Sequence, residues 1–233
     1  MDFKEKFEYR HYKKQFEKIN IDDFFVLVDA LSKEEAYVNK GDFAKVYKDH
    51  INESCYKVLS RPDQIRTARE EAELLDYLND LNDLKLGFVP IPLFSISPKM
   101  KLGDESQFKN GALAMQLVDG ISLKETIDTG SPVPENFEIE SFFQKIYLLL
   151  EVMHKEKGVY HRDVHIGNIL IERKTGLPYL IDYGNSVKLS KQELDSKIDP
   201  YHLEINGKSF DLQNDFKGLE LAKGEIRRYL TGK

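Results

Sequence analysis

One cysteine, no long apolar run and no surplus of positive charge mark the 233 residues of this chain. A lone Cys55 cannot close an intrachain disulfide, which fits a reducing compartment, and a free thiol of this kind usually packs as a small strand hydrophobe. The N-terminal run Met1 to Glu8 has no apolar signal core, and no window reaches the length of a membrane span. A net charge of -6 excludes a general binder of nucleic acid or of anionic membrane. Internal repeats and low-complexity tracts are absent as well. What remains is 41% hydrophobic and 32% charged residues, enough for a core beneath a heavily charged surface, in one large domain or two small lobes.

The chemistry concentrates between Val159 and Gly184. Ile169, Leu170 and Ile171 form one apolar strand, Lys174-Thr175-Gly176 supplies a turn, and Tyr179, Leu180 and Ile181 run back. The ends of a hairpin lie side by side, so Asn168 and Asp182 become neighbours. Two oxygen ligands presented together suit Mg²⁺, which prefers carboxylate, amide and phosphate oxygens. Asp163, on the loop just before the hairpin, can orient a hydroxyl beside a metal-bound phosphate. This arrangement suits phosphoryl transfer.

The rest of the chain predicts an α+β order. Residues 1 to about 35 read as a charged helix with Phe3, Phe7, Tyr12, Phe16 and Ile19 on one stripe, packed on the domain or binding a partner. Short strands follow from Ala36: Val38 to Lys48, a turn at Asn52-Glu53, then Ser54 to Leu59. A helix opened by Pro62-Asp63 runs to about residue 83, with Leu74, Leu75, Leu78 and Leu81 on its apolar face. Glu71 shares that face, and a carboxylate there needs a cation, for which Lys57 is the natural source. Glu70 and Glu73 fit that face less well and read as solvated. A broken strand spans Leu86 to Ile96, Gly103 to Asn110 is a polar turn, and Leu113 to Gly120 is a buried strand ending in a linker. Glu138 to Lys155 is a long helix burying Phe142, Phe143, Ile146, Leu149, Leu150 and Met153, closed by Gly158. After Gly184 the chain is polar to about Asp211, and a last helix opens at Asn214-Asp215-Phe216.

The run His161-Arg162-Asp163, with Asn168 five residues on, resembles the catalytic loop of the protein-kinase family. Asp182-Tyr183-Gly184 resembles that family's metal-binding Asp-Phe-Gly, with tyrosine in the middle. The resemblance covers about residues 36 to 230 and implies a two-lobed kinase-like fold. Its parts would be an N-terminal helical extension (1–35), a β-rich N-lobe (36–117) and a shortened, mainly helical C-lobe (118–233). It implies ATP and Mg²⁺ as cofactors. Gly41 matches the second glycine of the nucleotide loop, with Asn39 and Ala44 where the first and third would stand, Phe43 at the tip and Val46 after it. Lys57, held by Glu71, would grip the nucleotide phosphates. Met115 would border the adenine pocket, as pocket wall or plain core, and the backbone of Gln116 and Leu117 at the hinge would bond the base. Asn168 and Asp182 would hold the metal, Asp163 would accept or orient the substrate hydroxyl, and Asp215 would steady the catalytic loop.

Three departures qualify the likeness. His165 stands where protein kinases usually have lysine and small-molecule phosphotransferases often have histidine; it contacts the transferring phosphate or packs the loop. No Ala-Pro-Glu follows Gly184, Asp199-Pro200-Tyr201 being a poor substitute, and only 49 residues follow that glycine. The likeness is therefore to a shortened kinase, similar to the minimal effector kinases that bacterial pathogens inject into host cells. More distantly it resembles the small kinase of the tRNA threonylcarbamoyl-adenosine complex. Some of the effector group bind ubiquitin-loaded conjugating enzymes, so the likeness implies a cytoplasmic protein (host cytoplasm if secreted), serine/threonine protein substrates and an activating partner of that kind. Two other readings stay open: a metabolite or antibiotic kinase, and a binding module on a kinase scaffold. Arg162 could meet a phosphorylated segment bearing Ser186, Ser190, Ser196 or Ser209, although a shortened chain needs no such switch.

Overall fold

Alternating aromatic and polar residues, more than helical spacing, govern the start of the chain. Phe7-Glu8-Tyr9-Arg10-His11 forms a strand, β1 (Phe7–His11), where a helix was expected. It pairs antiparallel with β5 (Pro92–Pro98), from Phe7 opposite Pro98 to His11 opposite Phe94. Period-two alternation and an available sheet edge outweigh the looser helical stripe here. In this computed structural model the described residues are 7–12, 26–27, 37–40, 44–49, 53–59, 67–85, 87–98, 111–195, 202–205, 208–211 and 214–232. Of the expected N-terminal helix, Val26 and Leu27 are helical, while Phe3, Phe16 and Ile19 lie outside the described residues.

The chain divides into two compact units, residues 1–79 with 90–117, and residues 80–89 with 118–233. The first holds a six-stranded antiparallel sheet in the order β1-β5-β6-β4-β3-β2, built with β2 (Tyr37–Lys40), β3 (Ala44–Asp49), β4 (Ser54–Leu59) and β6 (Ala112–Gln116). Helix α1 (Ala68–Leu78) packs against β5 and β6. It starts later than Pro62-Asp63 predicted. Thr67 is its cap, accepting the Glu70 N–H on its hydroxyl while the Glu70 carboxylate accepts the Thr67 N–H at 2.8 Å. That reciprocal pair satisfies two donors that would otherwise be orphaned, and residues 60–66 lie outside the described set. Leu74, Leu75 and Leu78 are buried on its inner face, and Leu81 is buried in the 3-10 segment Asn79–Leu84 that follows. Glu73 ion-pairs with Arg10 and Arg69 at the surface.

The second unit is built of small sheets and helices. β7 (Gly120–Ser122), β9 (Ile169–Glu172) and β10 (Pro178–Leu180) form a three-stranded sheet, and β8 (Val159–Tyr160) pairs with β11 (Val187–Lys188). The helices are α2 (Leu123–Thr129), α3 (Ile139–Lys155), α4 (Lys191–Asp195) and α5 (Asn214–Thr231). All six apolar residues expected to be buried on α3 are buried, and Gly158, at φ 63°, turns the chain from α3 into β8. The polar stretch after Gly184 is not featureless. It holds α4 and an antiparallel pair of strands, β12 (His202–Ile205) and β13 (Lys208–Asp211), with His202 opposite Asp211 and Ile205 opposite Lys208. Among the described residues no helix is long and apolar enough to cross a membrane.

Candidate active site

In the first unit, register carries Lys57 to its place. β3 and β4 pair with Val46 opposite Lys57, and β4 and β6 pair with Lys57 opposite Leu113. The Lys57 ammonium meets both oxygens of Glu71, at 2.8 and 2.9 Å, with the two residues 3% and 1% exposed. The ion pair expected from the spacing is therefore formed, in a buried setting where neither charge could stand alone. Ala44 is buried and Val46 half-buried on β3. Asn39 lies on β2 opposite Val46, while Gly41 and Phe43 fall outside the described residues. Met115 is half-buried on β6 opposite Cys55. The N–H groups of Gln116 and Leu117 donate to the carbonyls of Ile91 (2.8 Å) and Glu53 (2.9 Å), so neither N–H is available to a base. That narrows the hinge expectation for these two residues. Burial pushes the Cys55 thiol up to about 12, which leaves it protonated and inert.

In the second unit the hairpin forms as its sequence predicts. Leu180 stands opposite Ile169, and the Ile181 N–H donates to the Asn168 carbonyl at 2.9 Å, which brings Asp182 beside Asn168. The Asn168 amide NH₂ donates to the Asp163 carbonyl at 2.9 Å, so its other end, the Oδ1 acceptor, is turned away from that bond. His161 is fully buried and neutral, its pKa lowered chiefly by burial. Its Nε2–H donates to the Ile181 carbonyl at 3.0 Å, and its Nδ1 accepts the Asp163 N–H at 3.3 Å, which defines the tautomer. One imidazole thus ties the backbone at Asp163 to the end of the hairpin.

Asp215, buried at the start of α5, anchors the loop from the other side. Its Oδ2 accepts the His161 N–H (2.8 Å) and meets His154 Nε2 (2.9 Å), and its Oδ1 accepts the Arg162 N–H (2.5 Å). Arg162 and Asp182 both hold left-handed backbone, at φ 67° and 66°. Such conformations cost about 1–3 kcal/mol each and persist only where the surroundings impose them, most often at functional sites. The glycines are fitted just as closely. A Cβ on Gly218 of α5 would stand 2.1 Å from the Val164 carbonyl oxygen, and one on Gly167 would stand 2.8 Å from the His165 ring.

The Asp163 carboxylate is 37% exposed, and His165 Nε2 lies 3.7 Å from its Oδ1. His165 Nδ1 accepts the Gly167 N–H at 3.0 Å, so the neutral ring carries its proton on Nε2, toward Asp163. Three features escaped the sequence reading. Asn185 contacts the Asp163 carboxylate. Gly218 admits the loop. Ser186, named as a modification candidate, is fully buried with its hydroxyl bonded to the His161 carbonyl. That corrects its candidacy, since an inward serine is closed to a modifying enzyme. Ser190 caps α4 through Glu193, the Ser196 position lies outside the described residues, and Arg162 spends one guanidinium nitrogen on the Asn185 carbonyl at 3.2 Å.

A β-rich unit with a buried lysine–carboxylate pair and a largely helical unit carrying aspartate, asparagine and aspartate around a hairpin define a mixed α+β fold of the protein-kinase type. The family model for the protein kinase domain matches residues 101–201, from just before β6 through the catalytic loop and Asp182-Tyr183-Gly184. The match supports a phosphotransferase of the kinase class. Lys57 and Glu71 lie outside the matched residues. No curated protein matches the chain.

Proposed function

We propose that the chain is an ATP- and Mg²⁺-dependent serine/threonine protein kinase. The observation that carries this reading is the joint presence of the buried Lys57–Glu71 pair and of Asp163, Asn168 and Asp182 gathered at one hairpin. Phosphoryl transfer asks little covalent chemistry of a protein; positioning and charge neutralisation carry it. Lys57, fixed by the Glu71 carboxylate, grips nucleotide phosphates. Asn168 and Asp182 fit magnesium by donor type: both offer hard oxygens, and Asn168 commits its NH₂ elsewhere so that Oδ1 can ligate. Bound there, magnesium would neutralise charge on the phosphates. Asp163 orients the attacking hydroxyl and accepts its proton. His165, with Nε2–H toward that carboxylate, can donate to an oxygen of the transferring phosphoryl group.

The effector-like reading rests on the Asn214-Asp215-Phe216 opening of α5, and a ubiquitin-loaded conjugating enzyme as activating partner follows from the same likeness. His165 favours a second reading, a small-molecule kinase. The deciding experiment incubates the protein with labelled ATP, Mg²⁺, candidate proteins and candidate metabolites, then identifies products by mass spectrometry. Label on protein serine or threonine, removed by Asp163→Ala, is the expected result. Label on a metabolite with proteins untouched would replace the reading with the second, and no transfer at all would end both.

A further inference from the structure

We infer that Asn185 is a positioning residue for the Asp163 carboxylate, selecting which of its two oxygens faces the substrate. The inference rests on the phosphotransferase reading above. Among the described residues, the Asp163 carboxylate accepts one side-chain hydrogen bond, from Asn185 Nδ2 to Oδ2 at 3.3 Å. That contact is long, as is common before substrate closes a site. It leaves Oδ1 as the oxygen nearer His165 Nε2, 3.7 Å away, and both side chains are partly open to solvent.

Among the described residues no other side-chain hydrogen bond restrains the carboxylate's rotation. His161 and Asn168 grip Asp163 through its backbone N–H and carbonyl, not its side chain. Without Asn185 the terminal torsion of the aspartate, a broad and nearly two-fold one, would be free to turn. Asn185 is itself held firmly: it ends the 3-10 turn Tyr183–Asn185, and its carbonyl accepts Arg162 Nη1 at 3.2 Å. Its neighbour Ser186 bonds the His161 carbonyl through its hydroxyl at 3.3 Å and the Tyr183 carbonyl through its N–H at 3.1 Å. The two residues after Gly184 therefore clasp His161, Arg162 and Asp163 one after another. Asp182 lies on the same turn, its carboxylate accepting the Gly184 N–H at 3.3 Å. Through this clasp the metal-binding aspartate and the hydroxyl-orienting aspartate share one rigid frame.

The test compares wild type, Asn185→Ala and Asn185→Asp in ATP-dependent transfer, with thermal unfolding measured for each. Both substitutions leave the backbone carbonyl that binds Arg162, and the aspartate keeps the shape of asparagine while replacing the donor with a like charge. The expected result is a loss of kcat of about tenfold or more for alanine and a larger loss for aspartate, the KM for ATP staying within about twofold, because misplacement of a reacting group falls on the chemical step. A packing role alone would spare the isosteric aspartate. If wild type transfers phosphate and both variants keep kcat within about twofold, the inference falls and the phosphotransferase reading stands. Absence of transfer by wild type overturns both.

Discussion

Replacing Gly218 with alanine should damage the site from a helix that carries none of the chemistry. The added Cβ would lie 2.1 Å from the Val164 carbonyl oxygen and 3.1 Å from its carbon, about 1 Å short of ordinary contact. Both neighbours are backbone, so no side chain can swing away. Alanine gains about 1 kcal/mol over glycine in a helix interior, and overpacking costs about 1–3 kcal/mol. Gly224, on the same helix, provides the reference: a Cβ there meets only the tip of Arg228 at 3.7 Å. The helix-propensity gain cancels between the two variants, so Gly224→Ala should exceed Gly218→Ala in stability by about 1–3 kcal/mol, several degrees in Tm for a chain of this size. The displaced carbonyl belongs to the residue after Asp163, and a shift on the order of 1 Å there should cost about 100-fold in kcat. Thermal unfolding of both variants alongside a transfer assay reads both effects. Equal stability for the two alanine variants, or an unchanged kcat for Gly218→Ala, would refute the close approach of α5 to the loop.

Removing one partner of the buried ion pair, as in Glu71→Ala, should cost about 3–5 kcal/mol in denaturant unfolding, whereas Lys57→Met with Glu71→Leu should recover most of that loss. Tyr183 is 1% exposed and its hydroxyl has the Met153 sulfur at 3.9 Å as its acceptor, so Tyr183→Phe should leave Tm unchanged or raise it, by no more than about 1 kcal/mol equivalent. Burial lowers the His161 pKa below 6.5, so its neutral form contributes stability that is complete above pH 6.5. That contribution is lost as pH falls from 6.5 toward the folded value, because the unfolded chain takes up the proton first. Between pH 7.5 and 5.5 wild type should therefore lose more stability than His161→Phe, measured by denaturant midpoint; equal losses would show that the imidazole titrates normally.

What the sequence revealed followed from how local each feature is. The hairpin from Asn168 to Asp182 is a strand, a turn and a strand in one short run, so its pairing could be read directly. The Lys57–Glu71 pair was legible because the helix face fixed by Leu74, Leu75 and Leu78 includes Glu71 and excludes Glu70. β1 was missed although Phe7, Tyr9 and His11 alternate in plain view, since its partner β5 lies more than eighty residues away and helical spacing competed locally. Thr67 and Glu70 carry a capping-box signal that the proline upstream obscured. Asn185 and Gly218 offered no sequence signal: an asparagine and a helical glycine acquire meaning only when tertiary packing brings Asp163 and Val164 against them.

The central claim is that Asp163 serves phosphoryl transfer from ATP. Its most direct test is the transfer rate, with Mg²⁺, of wild type against Asp163→Asn, a substitution that keeps the shape and the backbone bonds to His161 and Asn168. The account predicts an unchanged Tm and a loss of about 10²–10⁴-fold in kcat. Equal rates for the two proteins would contradict it.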